Sequence, residues 1–73
     1  MRFQANDIVE VKYANHHSVI KILGIDYIYN HYVYEQDVLY DKASRAVWST
    51  DVIEKHGRKL QGEELNTWLL KIL

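Results

Sequence analysis

Seventy-three residues make a single domain, and a chain of this length buries only roughly 60% of its unfolded surface, so its one core is small and a deep catalytic pocket is not expected. Nine Lys plus Arg against ten Asp plus Glu leave a net charge of −1, which excludes a global field that would steer the chain to nucleic acid or to an anionic membrane. The chain has no cysteine, which removes disulfides and every thiolate zinc site, and the 48% hydrophobic content argues against disorder.

The first two thirds have strand character. Residues 8–13 alternate, with Val9, Val11 and Tyr13 on one face and Glu10 and Lys12 on the other, after a turn-prone Asn6-Asp7 pair. Residues 14–17 break that pattern. A long β-branched run then covers residues 18–29, interrupted at Gly24, where a bulge or strong bend is expected.

Residues 27–34 read Tyr-Ile-Tyr-Asn-His-Tyr-Val-Tyr. If Asn30 and His31 are the two central residues of a hairpin turn, Tyr29 opposes Tyr32 and Tyr27 opposes Tyr34, and period-2 alternation puts all four rings on one face. The same register sets Ile28 against Val33, Ile22 against Leu39 and Asp26 against Glu35, a like-charge pairing that normally destabilises. A bulge at Gly24 would relieve that pairing and spare the tyrosine face, whereas a longer loop at Asn30 would undo the face. The return strand is expected over residues 32–40, a turn over 41–44 and a fourth strand over 45–49.

The last third turns helical. Asp51, with Glu54 three residues on, caps a short turn that ends near Gly57, whose freedom at positive φ suits a helix C-terminus. A second helix is expected over residues 61–73: Leu65, Trp68, Leu69 and Ile72 fall at i, i+3, i+4 and i+7, Glu63 and Glu64 sit in its first turn, and Leu60 is placed to staple onto Leu65. Leu70 and Leu73 widen its apolar stripe, either to cover an open end of a barrel or to leave a seam for a second copy as a homodimer.

With these elements placed, residues 7–13, 19–26, 32–35 and 47–54 resemble small SH3-like barrels of the Tudor and KOW sort, over about residues 5–56. The resemblance lies in element order: a strand after an Asp turn, a long bent hairpin, and a tryptophan strand running into a short helical turn. It implies a small SH3-like barrel of four to five antiparallel strands, mainly β with a C-terminal α-helix that the usual pattern lacks. Such barrels are commonly non-enzymatic binders of peptides, protein surfaces, methylated side chains or nucleic acids, and stand-alone members of this length occur in phages and mobile elements. Fold alone does not give function.

Three surfaces follow. The first is a protein-binding face of Tyr27, Tyr29, Tyr32 and Tyr34, with Glu35 and Asp37 on its rim, since tyrosine offers a rigid apolar ring and a hydroxyl that still hydrogen-bonds. Ordinary strand packing accounts for the same residues, and Trp48 is read more readily as core than as groove. The second is a nucleic-acid site in which Lys55, Arg58 and Lys59 hold phosphates while tyrosines stack bases; a solvated loop is the plainer reading. The third is self-association through Leu69, Leu70 and Leu73. No catalytic residue, metal ligand set or cofactor motif is read from the chain: the serines lie in no nucleophile elbow, and the adjacent His16 and His17 point to opposite faces of a strand. No segment approaches about 20 apolar residues and the N-terminus holds no signal core, so a soluble cytoplasmic chain is expected.

Overall fold

The computed structural model describes residues 1–36 and 48–72. The alternating segment forms β1 (Ile8–Tyr13), and the chain reverses through Ala14 and Asn15 at φ 51° and 67° into β2 (His16–Asp26). Positive φ at both central residues is the type I′ geometry whose twist matches flanking strands, so the expected break over residues 14–17 is a two-residue turn, and His16 and His17 are already strand. Beyond β2 come β3 (His31–Gln36), α1 (Thr50–His56), the short β4 (Gly57–Lys59) and α2 (Gly62–Ile72).

The four strands make one antiparallel sheet in the order β3-β2-β1-β4. Among the described residues it is open. The mainly β architecture with a C-terminal helix is therefore present, without a closed barrel. The expected strand and turn residues at 37–47, among them Leu39 and the rim residue Asp37, lie outside the described residues, as does Leu73. Trp48 and Ser49, expected at the end of a strand, have no strand structure and lead directly into α1.

Alternation along β1 and β2 separates two apolar clusters. On one face Val9, Val11, Ile20 and Ile22 pack with Phe3, Tyr32, Trp48 and Ile53 to make the larger core, which α1 covers. On the other, Ile8 and Val19 meet Leu60 and Trp68, with Leu65 half-buried beside them, so α2 is held by a smaller cluster in which the Leu60–Leu65 staple is realised.

The cap of α1 differs from expectation. Ser49, not Asp51, is the N-cap: its Oγ accepts from Val52 N at 3.2 Å, while Asp51 sits in the first turn where its charge complements the helix dipole. Nor does Gly57 end the helix at positive φ; its φ of −79° is extended, and it opens β4. Glycine is required there for space, because a Cβ would meet the Ile53 carbonyl oxygen, Val9 Cγ1 at 2.9 Å and Phe3 Cε2 at 3.1 Å.

Candidate functional site: a protruding hairpin apex

β1 begins at Ile8, opposite Lys21, so the last five residues of β2 run past it and carry the β2–β3 hairpin beyond the rest of the sheet. The N-terminal segment braces the base of this projection, with Asn6 N donating to Ile22 O at 2.7 Å and Ile22 N to Asp7 O at 2.9 Å. Ile22 pairs with Tyr34 and Gly24 with Val33, leaving Leu23 as the extra residue of a bulge, where the interrupting glycine predicted one.

The register beyond the bulge differs from the two-residue expectation. Asp26 closes the hairpin against His31, and residues 27–30 form a four-residue loop with Asn30 at φ 56°. The cause is Asp26: its Oδ1 accepts from Ile28 N at 2.9 Å and Tyr29 N at 3.3 Å, an Asx-type turn that takes Tyr27, Ile28 and Tyr29 out of the ladder despite their strand propensity. The like-charge conflict disappears as well. Glu35 stands opposite Lys21, and Asp26 Oδ2 lies 4.0 Å from His31 Nε2.

The four-tyrosine face is consequently divided. Tyr27 and Tyr29 are exposed at 84% and 74%, with Ile28 between them at 87%, and Tyr29 stacks on His31 at 5.9 Å between centroids. Tyr32, at 4%, belongs to the core. Its ring lies 6.1 Å from that of Phe3, and its hydroxyl accepts from Phe3 N at 3.1 Å and donates to Glu54 Oε1. Burial and the adjacent Glu54 carboxylate push the Tyr32 phenol up to about 12. Although burial alone would raise Glu54, hydrogen bonds from Tyr32 and from the Arg2 amide hold its carboxyl below the ordinary range. Tyr34 is half-buried, its hydroxyl accepting from Trp48 N at 2.7 Å and donating to Trp48 O at 3.3 Å. Trp48 itself is core.

The basic trio does not converge on the apex. Lys55 is exposed on α1, over the larger core. Arg58 reaches toward the opposite face, where it donates to both oxygens of Glu64 at 2.7 Å and to Glu10 at 3.0 Å. Those bonds hold Glu64 below the usual carboxylate range; Glu10, which burial would raise, is likewise held down by Arg58, His17 and Lys12. Lys59 pairs with Asp7 at 3.3 Å. On α2 the proposed self-association residues are exposed, Leu69 partly and Leu70 at 74%.

Two contributors escaped the sequence reading. The strand propensity of Tyr-Ile-Tyr predicts a strand through Ile28; the sequence signal for the loop is Asp26, two and three residues ahead of the amides its carboxylate caps. Arg2 gave no signal at all, yet its guanidinium donates to the Glu54 carbonyl and to Gly57 O at 3.2 Å and lies 4.8 Å over the Phe3 ring. Among the described residues no group of three or more His, Asp or Glu is placed to hold a metal ion, and no helix is long and apolar enough to cross a membrane. No family model matches the chain, and no curated protein or solved structure is significantly similar to it.

Proposed function

We propose that this chain is a non-catalytic protein-binding module that contacts its partner through the apex of the β2–β3 hairpin. The observation that carries this reading is the run of three large side chains, Tyr27, Ile28 and Tyr29, at 74–87% exposure on a loop whose shape Asp26 holds in advance. Scattered exposed apolar residues are ordinary, but three consecutive ones at a projecting tip form an anchor that a partner can desolvate, and a preformed loop lowers the entropy cost of docking. Leu23 and Val33, both partly exposed lower on the hairpin, extend the apolar surface, with Glu35 on its rim. The role belongs to Tyr27 and Tyr29; Tyr32 and Tyr34 support the hairpin from the core side.

An SH3-like barrel remains the proposed fold family. What supports it is the strand order, in which the final strand returns to pair with the first directly after a helical turn, together with the long β2 bent at its bulge. A soluble module acting in the cytoplasm fits the absence of cysteine.

The test is a triple variant, Tyr27→Ser, Ile28→Ser and Tyr29→Ser, compared with the parent as immobilised bait in cell extract. The expected outcome is an unchanged denaturation midpoint, since none of the three is core, with loss of the proteins retained by the parent. Retention of the same proteins by both baits would refute the apex as the contact.

A further inference from the structure

A second surface lies away from the apex. The N-terminal segment and the end of β4 enclose an open cleft of ≈ 530 Å³, with Arg2, Phe3 and Gln4 on one side, Lys59 and Gln61 on the other, and Asp7 and Arg58 completing it. Its charge is lopsided, because the Arg2 and Lys59 side chains and the Met1 residue line it against the single Asp7 carboxylate, while the Arg58 guanidinium turns away to Glu10 and Glu64.

Internal pairing does not absorb that excess evenly. Arg58 answers Glu10 and Glu64, and Lys59 answers Asp7, whose other oxygen accepts from Gln4 N at 3.0 Å and whose role is to tie down the N-terminal turn. Arg2 is different. Its guanidinium bonds to two backbone carbonyls and lies over the Phe3 ring, and although the nearby Glu54 carboxylate attracts it through space, it makes no direct ion pair among the described residues. Two carbonyls use two of the five N–H donors of a guanidinium, so an oriented, exposed fork with free N–H donors remains at the cleft, a geometry that suits a planar or tetrahedral oxyanion. The Lys59 ammonium, at 44% side-chain exposure, and the Gln4 and Gln61 amides lie within the same cleft as further donors.

We infer that this cleft is an oxyanion-binding site, taking a phosphate or carboxylate group from a small phosphorylated molecule or from an acidic peptide side chain. Arg2 supplies the primary contact and Lys59 the second charge. The site is independent of the apex, so its ligand need not be the protein bound there.

The experiment is a ¹H–¹⁵N chemical-shift titration of the whole chain with inorganic pyrophosphate in one arm and a blocked Glu-Glu-Glu peptide in the other. Saturable shifts on Arg2, Phe3, Gln4, Lys59 and Gln61 in either arm, weakened by added salt, are the expected result, and the arm that binds tighter names the source of the oxyanion. The decisive variant is Gln61→Glu, which adds a carboxylate to the cleft at an exposed position and touches none of the bonds that hold Arg2. It should weaken binding by about tenfold or more, the scale of one unit charge a few ångströms away at intermediate dielectric, without moving the denaturation midpoint. Arg2→Ala should abolish binding, but it also removes two fold-bearing bonds, so Gln61→Glu carries the test. No saturable shift by about 10 mM of either probe, shifts centred on Lys12, Lys21 or Lys55, or equal affinity in Gln61→Glu would each overturn the proposal.

Discussion

Of the three glycines, only Gly57 is held by space, since a Cβ at Gly24 or Gly62 would meet nothing within 4 Å. The chain leaves α1 and enters β4 within one residue, and the backbone there runs so close to Ile53, Val9 and Phe3 that no side chain fits. Gly57→Ala must push aside a helix carbonyl and two core side chains together, and a carbonyl cannot rotate away as a flexible side chain can. The expected cost is about 2–3 kcal/mol, in the upper part of the range for overpacked cores, read as a lower urea midpoint at unchanged slope. A midpoint within error of the parent would mean that α1 can shift off the sheet at little cost. Phe3 belongs to the same junction. Its ring fills the space that the missing side chain leaves, and its amide, through the Tyr32 hydroxyl and Glu54, ties the N-terminal segment to β3 and α1.

Among the elements, α2 is the one held most lightly. An isolated helix of its length is marginal in water, so its stability comes from docking, and the docking rests on Trp68 and Leu65 against Ile8, Val19 and Leu60. The bidentate Arg58–Glu64 pair is exposed and screened by solvent, so it adds little. Trp68→Ala should therefore release α2 while leaving the sheet folded, seen as loss of helical circular dichroism and fast amide exchange over residues 65–70 beside still-protected β1 and β2 amides. Loss of protection in β1 and β2 to the same degree would show that the two clusters fold as one unit. This helix was plain in the sequence because its pattern is local: apolar spacing, acidic first turn and staple all lie within residues 60–70. The alternation of β1 and the bulge beside Gly24 were legible for the same reason. The hairpin apex was not, because its conformation is set by one side chain bonding to the backbone, and period-2 alternation of Tyr-Ile-Tyr gives no hint that an Asp26 carboxylate has removed those residues from the ladder. The cleft was illegible for another reason, since residues 2 and 59 are brought to one surface by long-range contacts, the β1–β4 pairing and the bonds of Arg2 to Glu54 and Gly57.

For the molecule as a whole, the ionic bonds that join its elements set an acid limit. Glu54 links the N-terminal segment, β3 and α1, and Glu10 links β1, β2 and β4 through His17 and Arg58. Each lies below its ordinary value in the folded chain, since hydrogen bonds to the charged form outweigh the burial that opposes it. A carboxyl lowered on folding binds its proton more readily in the unfolded chain. Its stabilising contribution is therefore complete above the unfolded value of about 4.3 and is lost as pH falls from there through the folded values. Tyr32 imposes the opposite limit. Raised to about 12, it keeps its contribution below the unfolded value near 10 and loses it as pH climbs through the folded one. Thermal unfolding followed from neutral pH downward should show a level midpoint to about pH 5 and a decline below about 4.5. Glu10→Gln, which cannot titrate, should begin from a lower midpoint and decline less steeply. A variant that parallels the parent through the acid range would mean that Glu10 does not contribute to the acid transition, and would leave Glu54 and its hydrogen bond to Tyr32 as the main acid-sensitive tie between the N-terminal segment and the sheet.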